Sequence, residues 1–313
     1  MRIMIMNLVH DSVTVSRIII HTLHHTIGIL QNLGELVTSQ KQTAIWERHS
    51  IQWRHIGVPL KPSDSDSNFM LESITHLIGN CSNRFVVGVL GVTPEVIQLK
   101  WPSQVDVEAF DHSSGMIDSV WQPNVNNPSR VTHAFWQTLP IENESLDAIV
   151  GDGSFNVLPS LGTYIEVLTE LHRTLKPNAN IIVRCFIRPL VTEKIEAIIK
   201  DVNNNKIESF HALKWRIAMM LADNNKSTVA VNEIYACFER HFKDRNELMK
   251  KSSWLPDVIN TINAYKNSPT IYTFPTLDIF RGVIDNLFTI EKVFYGEYEL
   301  SDKCPTLILK KLT

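Results

Sequence analysis

The feature that most narrows the possible folds is the unbroken apolar run Arg84-Phe85-Val86-Val87-Gly88-Val89-Leu90-Gly91. It does not alternate apolar with polar, so it does not read as a strand with one wet face. A continuous, β-branched run of this length reads as a strand covered on both faces, the condition met in parallel sheets flanked by helices. The chain downstream has the matching rhythm. Short strands are expected at Val105–Phe110, Val131–Phe135, Leu146–Val150 and Ile181–Phe186. Between them lie helical stretches at Glu95–Trp101, Gly115–Trp121 and Tyr164–Leu175, the last with Ile165, Leu168, Leu171 and Leu175 on one face. Strands alternating with helices predict a doubly wound α/β sheet.

The rest of the chain is arranged around that core. Upstream, the polar cluster Ser63-Asp64-Ser65-Asp66-Ser67-Asn68 supplies helix-capping residues before a helix over Phe69–Ile78. Downstream, residues 192–268 read as mostly helical, with breaks at Asn203-Asn204-Asn205, Asn224-Asn225 and Ser252-Ser253. A helix over Thr276–Asn286 leads to strands at Phe288–Tyr295 and Thr306–Lys310. The short turn around Ser301-Asp302-Lys303 makes that pair antiparallel.

With 313 residues and 44% hydrophobic content, the chain can bury a sizeable core. Thirty basic against 33 acidic residues give a net charge of −3, so no basic footprint for nucleic acid is present. The segment before the sheet is expected to be a helical extension, residues 1–58. Ile19, Leu23, Ile27 and Leu30 recur at helical spacing, and a second helix reads from Gly34 to Gly57 with Trp46 and Trp53 as anchors. Arg17, His21, His24 and His25 interrupt the apolar stretch Val13–Leu33, which argues against a bilayer span, and no signal-peptide pattern appears. His21 and His25 stand four apart but have no nearby Asp, Glu or Cys to complete a metal shell. Cys81, Cys185, Cys237 and Cys304 form no C-x-x-C pair and read as free thiols of a reducing, cytoplasmic compartment.

Doubly wound sheets bind ligands at the carboxyl ends of their strands, where the strand order reverses. The candidate loop is Leu90-Gly91-Val92-Thr93-Pro94-Glu95, and Asp111 ends the second strand twenty residues after Gly91. A carboxylate at that place can accept from both hydroxyls of a ribose; alternatively, Asp111 caps the helix after it. A nicotinamide dinucleotide would need G-x-G-x-x-G for its pyrophosphate. Here the loop holds one glycine, Pro94 removes an N–H, and Glu95 opposes phosphate. An adenosine without phosphates, as in S-adenosylmethionine, suits the loop better.

These segments resemble the Rossmann-like S-adenosylmethionine-dependent methyltransferases. The resemblance spans roughly Pro59 to Leu312. It rests on Val87–Glu95, on Asp111-His112-Ser113, on Asp147-Ala148-Ile149-Val150-Gly151-Asp152-Gly153-Ser154, and on Leu171-His172-Arg173-Thr174-Leu175-Lys176-Pro177. Leu60-Lys61-Pro62-Ser63, Tyr272-Thr273-Phe274-Pro275-Thr276 and Cys304-Pro305-Thr306-Leu307 look like a bacterial-type subgroup of unassigned substrate. The sequence departs from the family's acidic-x-G-x-G-x-G loop, with Val89, Gly91, Thr93 and Glu95 at those places. Phe135 stands where an acid near the adenine is often found.

The resemblance implies a seven-stranded, mostly parallel sheet with an antiparallel last strand, formed by residues 59–313, with a helical cap at about 192–268. It implies S-adenosylmethionine as cofactor, held by Gly91, Thr93, Glu95, Asp111, His112 and Asp152, with Phe135 or Trp136 stacking on adenine or belonging to the core. Asp152 and Asn156 would serve catalysis, Asp152 by holding the cofactor's ammonium or taking a proton, Asn156 by orienting the acceptor. Trp215, Arg216, Met219 and Met220 either face the pocket or form plain core. Arg184 and Arg188 either meet an anionic acceptor or form salt bridges. The implied activity is methyl transfer to a small molecule, with neither a metal, a nucleic acid nor a membrane as partner. The alternatives are a non-catalytic binding module of the same fold and, behind it, an NAD-dependent oxidoreductase.

Overall fold

The computed structural model describes residues 52–80 and 82–313. The helix read within Val13–Leu33, the His21/His25 pair, Trp46 and Cys81 lie outside them. Of the helix read to Gly57, the described end is a single 3₁₀ turn, Trp53–His55.

The sheet has seven strands in the order β3-β2-β1-β4-β5-β9-β8. They are β1 (Phe85–Leu90), β2 (Val105–Asp111), β3 (Ser129–His133), β4 (Leu146–Asp152), β5 (Leu175–Arg184), β8 (Phe288–Phe294) and β9 (Thr306–Lys311). β1 to β5 are mutually parallel, and β9 runs antiparallel between β5 and β8. The doubly wound sheet with its antiparallel last strand is therefore as expected. β1 is central and buried on both faces. Val87 and Val89 face one layer, with Met70, Ile74 and Ile78 of α1 (Asp64–Ile78). Leu90 and, less deeply, Val86 face the other, with Tyr164, Leu168 and Leu171 of α4 (Leu161–Thr174) and Phe280 of α10 (Leu277–Ile284). Each fully buried apolar side chain here contributes roughly 1.5–3 kcal/mol.

Among the boundaries that differ from the sequence-based expectation, three have an evident local reason. α1 starts one turn early because Ser63 and Asp66 form a reciprocal capping box. β5 starts at Leu175, directly after α4. Its pairing with β4 slips between Leu146 and Ala148, and Asn178 takes a left-handed φ of 62° in the irregular stretch. β3 ends at His133, so Phe135 and Trp136 belong to the following loop.

Between β5 and β8 the chain forms α5 (Ile195–Asn203), α6 (Phe210–Leu221), α7 (Val231–His241), α8 (Arg245–Lys251) and α9 (Pro256–Asn260). Within this stretch, whose residues 192–268 read from the sequence as mostly helical, lies a second sheet, in which β6 (Thr228–Ala230) pairs antiparallel with β7 (Ile271–Thr273). These elements have their own core, including Phe210, Trp215, Phe238 and Tyr272. The remaining helices are the four-residue α2 (Pro94–Ile97) and α3 (Ser114–Val120). Among the described residues no helix is long and apolar enough to cross a membrane. Cys185, Cys237 and Cys304 are buried free thiols.

Candidate functional site

The strand order reverses between β1 and β4, because β1 pairs with β2 on one side and β4 on the other. A cavity of about 150 Å³ opens at the carboxyl ends of these strands. Both strands leave the sheet through turns that need positive φ: Gly91 at 96° and Gly153 at 62°. L side chains rarely adopt these angles, so glycine is the natural residue at both. Gly91 donates its N–H to Phe110 O at 2.8 Å, and the Ser154 hydroxyl donates to Leu90 O at 3.0 Å. The two turns and the end of β2 are thereby tied into one rim.

Asp111, the last residue of β2, lines the cavity and is 8% exposed. Its Oδ1 accepts from the Ser113 N–H at 2.8 Å. Its Oδ2 faces Gly91: a Cβ placed on that glycine would stand 3.8 Å from Oδ2 and 3.9 Å from the Trp136 ring. Asp111 does not cap α3, since Ser113 fills that role, its side chain accepting from Met116 N–H. Burial pushes the Asp111 carboxyl up to about 6, only partly offset by backbone donors and by His133. Thr93, His112 and Trp136 line the cavity beside it. Trp136 is fixed by its Nε1–H donating to Phe110 O at 2.7 Å.

The other residues expected around a cofactor lie elsewhere. Phe135 is outside the cavity lining; it is 47% exposed and stacks on His112 with ring centres 5.3 Å apart. Glu95 is also outside the lining and pairs with Lys61 at 3.0 Å. Its charge is thus partly neutralised, which weakens the case for it as a phosphate-repelling group. The shortness of α2 and Pro94 at its start still leave few free N–H groups for a pyrophosphate.

Asp152 and Asn156 both line the cavity; the Asn156 amide is committed to backbone groups, whereas Asp152 is engaged through Oδ1 alone. Asp152 Oδ1 accepts from Arg184 Nε; the arginine side chain is fully buried and the aspartate side chain is 3% exposed. Burial raises the Asp152 pKa while Arg184 opposes the rise. Arg184 also donates to Pro59 O and Tyr298 Oη, so it supports the cavity floor without lining it. Asn156 donates to Phe186 O and Thr273 O, each at 2.8 Å, and accepts from Phe186 N–H at 2.8 Å. It joins the β4 turn to the end of β5 and to β7, a positioning role.

The helical wall also differs from the sequence expectation. Of Trp215, Arg216, Met219 and Met220, only Trp215 lines the cavity. Arg216 is held by Glu193 and Asp201, and Met219 belongs to the helical core. Arg188 pairs with Asp223 at 2.8 Å and also stays out of the cavity. The cation that does line it is Lys214, which is not among the residues expected from the sequence. Its place on α6 was visible: Phe210, Leu213, Ile217, Ala218 and Leu221 share its helical face, and a lysine on such a stripe is exceptional.

No family model matches the sequence, and no curated protein matches it. Among solved structures the chain is similar to a protein from Rhodobacter sphaeroides provisionally named a zinc-dependent alcohol dehydrogenase. The identity is 11% over 85% of this chain and 98% of that one, with a TM-score of 0.52. It is also similar to a SAM-dependent methyltransferase from Methanosarcina mazei (14% identity, 76% of this chain and 97% of that one, TM-score 0.45). A third structure is loganic acid methyltransferase with SAH (9% identity, 82% and 99% covered, TM-score 0.48). At these identities the likeness concerns architecture alone. With its strand order and its antiparallel strand inserted between β5 and β8, the chain has the Rossmann-like, methyltransferase-type α/β fold.

Proposed function

We propose that the protein is an S-adenosylmethionine-dependent methyltransferase acting on a small molecule in the cytoplasm. The observation that carries this proposal is the buried Asp111 carboxylate, with Oδ2 facing the positive-φ Gly91 in a cavity at the β1/β4 switch point. An acid in that place suits ribose hydroxyls. The open face of Gly91 lets a ligand approach the backbone, and the one-glycine loop ahead of a four-residue helix offers little to a pyrophosphate. The residues present therefore fit an adenosine that carries no phosphates. Asp111 would hold the ribose, Gly91 and Thr93 the amino-acid portion, and Trp136 and His112 the adenine side. The buried free thiols accord with a reducing compartment.

When bound, S-adenosylmethionine supplies a methyl on a positively charged sulfur, which an acceptor lone pair displaces in line as sulfur keeps the bonding pair. The chain's own contribution would be alignment and exclusion of water, which suffice for much of the acceleration when the leaving group is already activated. Asp152, engaged by Arg184, would shape the floor and add negative charge near the sulfur; Asn156 would fix the wall.

The test is calorimetry with S-adenosylhomocysteine on folded protein. Micromolar binding that disappears in Asp111→Ala is the expected result, and no heat with either S-adenosylhomocysteine or S-adenosylmethionine overturns the proposal. A second reading, a binding module without turnover, draws on the depleted glycine loop and on Asn156, whose amide is committed to the Phe186 and Thr273 backbone. Cofactor binding with no methyl transfer across a broad acceptor panel would favour it. The remaining alternative, an NAD-dependent oxidoreductase, predicts a thermal shift with NAD that the one-glycine loop argues against.

A further inference from the structure

Lys214 is 1% exposed and lines the cavity from α6. Its Nζ donates to Thr261 Oγ1 at 3.0 Å, while that hydroxyl spends its own hydrogen on Val258 O at 2.7 Å. The lysine is therefore the donor in that bond, and it retains further N–H groups. The ammonium also stands 5.2 Å from the centre of the Tyr265 ring and 5.6 Å from that of Phe210, an arrangement that favours a cation. It forms no ion pair among the described residues. Burial alone draws its pKa down to about 7. A second, independent feature lies beside it: Trp215, 5% exposed and also lining the cavity, has a buried Nε1–H with no acceptor among the described residues.

The walls around these donors are aromatic. Trp215 meets Phe186 edge-on at 5.2 Å and Tyr272 at 5.5 Å, and Tyr265 packs on Tyr272 at 6.2 Å. Donors without acceptors, a cation without a counter-ion and flat apolar walls together call for an anion on a carbon skeleton. We propose that the helical side of the cavity binds an organic acid, its carboxylate held by Lys214 with Trp215 Nε1–H as a further donor and its skeleton against Phe186, Trp215 and Tyr272. That this acid is the methyl acceptor rests on the methyltransferase assignment above; the anion site itself does not. The sequence had offered Arg184 and Arg188 for such an acceptor, but neither lines the cavity: Arg184 pairs with Asp152 and Arg188 with Asp223.

The experiment titrates the full chain with benzoate, phenylacetate and cinnamate, and in parallel with benzamide, phenylacetamide and cinnamamide, each with and without S-adenosylhomocysteine. At least one acid should bind about tenfold or more tighter than its amide, as expected of a charge-assisted contact in a buried site. In Lys214→Met that preference should vanish while S-adenosylhomocysteine binding persists. Equal affinity for every acid and its amide, or a preference that survives in Lys214→Met, overturns the proposal. A lysine acting as a neutral base would give that first result together with lost turnover in Lys214→Met. The two assignments fail separately: an acid preference without S-adenosylhomocysteine binding removes the methyltransferase, and the reverse removes the acid site.

Discussion

The two sides of the cavity each contain a buried charge that the protein does not neutralise, and the charges are opposite in sign. On the strand side Asp111 lies at the end of β2; on the helical side Lys214 projects from α6. Neither forms an ion pair among the described residues, and burial pushes both toward neutrality, to about 6 and about 7 respectively. The floor beneath them is different. There Asp152 Oδ1 pairs with Arg184 Nε, and Arg184 also donates to Pro59 O and Tyr298 Oη, leaving its Nη2 without a partner among the described residues. A matched buried pair fixes structure, whereas an unmatched buried charge lowers stability and is retained where a ligand completes it. On the proposed function, the contrast sets scaffold against binding groups: substitutions on the floor should destabilise the fold, and substitutions of the unmatched charges should stabilise it.

The largest effect is expected at the floor. Arg184→Met leaves Asp152 buried without its cation and removes a donor from Pro59 O. Loss of one partner from a buried pair costs about 3–5 kcal/mol, to be read by urea unfolding. A loss below about 1 kcal/mol would place Arg184 among the dispensable charges and erase the distinction.

Lys214→Met should go the other way. A lysine whose pKa is depressed in the folded state binds fewer protons there than when unfolded, between about 7 and its ordinary 10.5. The penalty is thus full below pH 7 and fades as pH rises through that interval. The methionine variant is expected to gain on the order of 2–4 kcal/mol at pH 6, after allowing for the lost bond to Thr261, and nothing near pH 10.5. A gain independent of pH would mean that better packing, rather than removal of a charge, is responsible.

Asp111→Asn is the counterpart with opposite pH dependence. The carboxyl is raised from 3.8 to about 6 on folding, so the folded state holds its proton more tightly. Its cost is full above pH 6 and disappears toward pH 4. The variant should gain on the order of 1–3 kcal/mol at pH 7 and nothing at pH 4. It should also lose about a hundredfold or more in S-adenosylhomocysteine affinity, because an amide cannot accept from two ribose hydroxyls while keeping the Ser113 bond. In the wild type the same affinity should fall below pH 6 as the carboxylate takes up a proton. A variant that is more stable and still binds fully would show that Asp111 is no ribose ligand.

This contrast also explains what the sequence did and did not disclose. The sheet was legible because its strands carry their environment in their composition: Phe85–Leu90 can only be buried on both faces, and the turn after Leu300 closes a hairpin of two longer strands. The Thr228–Ala230 and Ile271–Thr273 pair was not legible, since three residues set no period and the partners lie about forty residues apart. On the strand side of the cavity, the positions of Gly91 and Asp111 were legible because both mark fixed places in a βαβ unit. Glu95 and Phe135 could not be placed, since which way a loop side chain turns depends on tertiary partners, Lys61 for one and His112 for the other. Asp152 and Asn156 line the cavity, but their engagement by Arg184 and by the Phe186 backbone depends on the end of β5 and the residues after it, about thirty residues away. Lys214 left a local trace, a charge on an apolar stripe. What gives it meaning, the Thr261 hydroxyl and the Tyr265 ring, arrives from a segment nearly fifty residues later.

The smallest effect concerns how Lys214 is held. Thr261 accepts from Nζ and passes its own hydrogen to Val258 O, so valine in its place keeps the shape and removes both bonds. Each is worth about 1 kcal/mol net, and the lost apolar mismatch partly compensates, so Thr261→Val should change stability by no more than about 1 kcal/mol. Its informative readout is the lysine itself. The Oγ1 dipole favours the charged amine, so its removal should move the Lys214 pKa below about 7, as followed by NMR of the lysine side-chain carbon next to Nζ. Saturating benzoate, or whichever acid the panel selects, should return that pKa upward in both proteins, because a bound carboxylate favours the cation more strongly than a hydroxyl does. A lysine pKa that ignores both the valine and the acid would mean that Lys214 faces packed protein rather than the cavity, and the symmetry between the two unmatched charges would be lost.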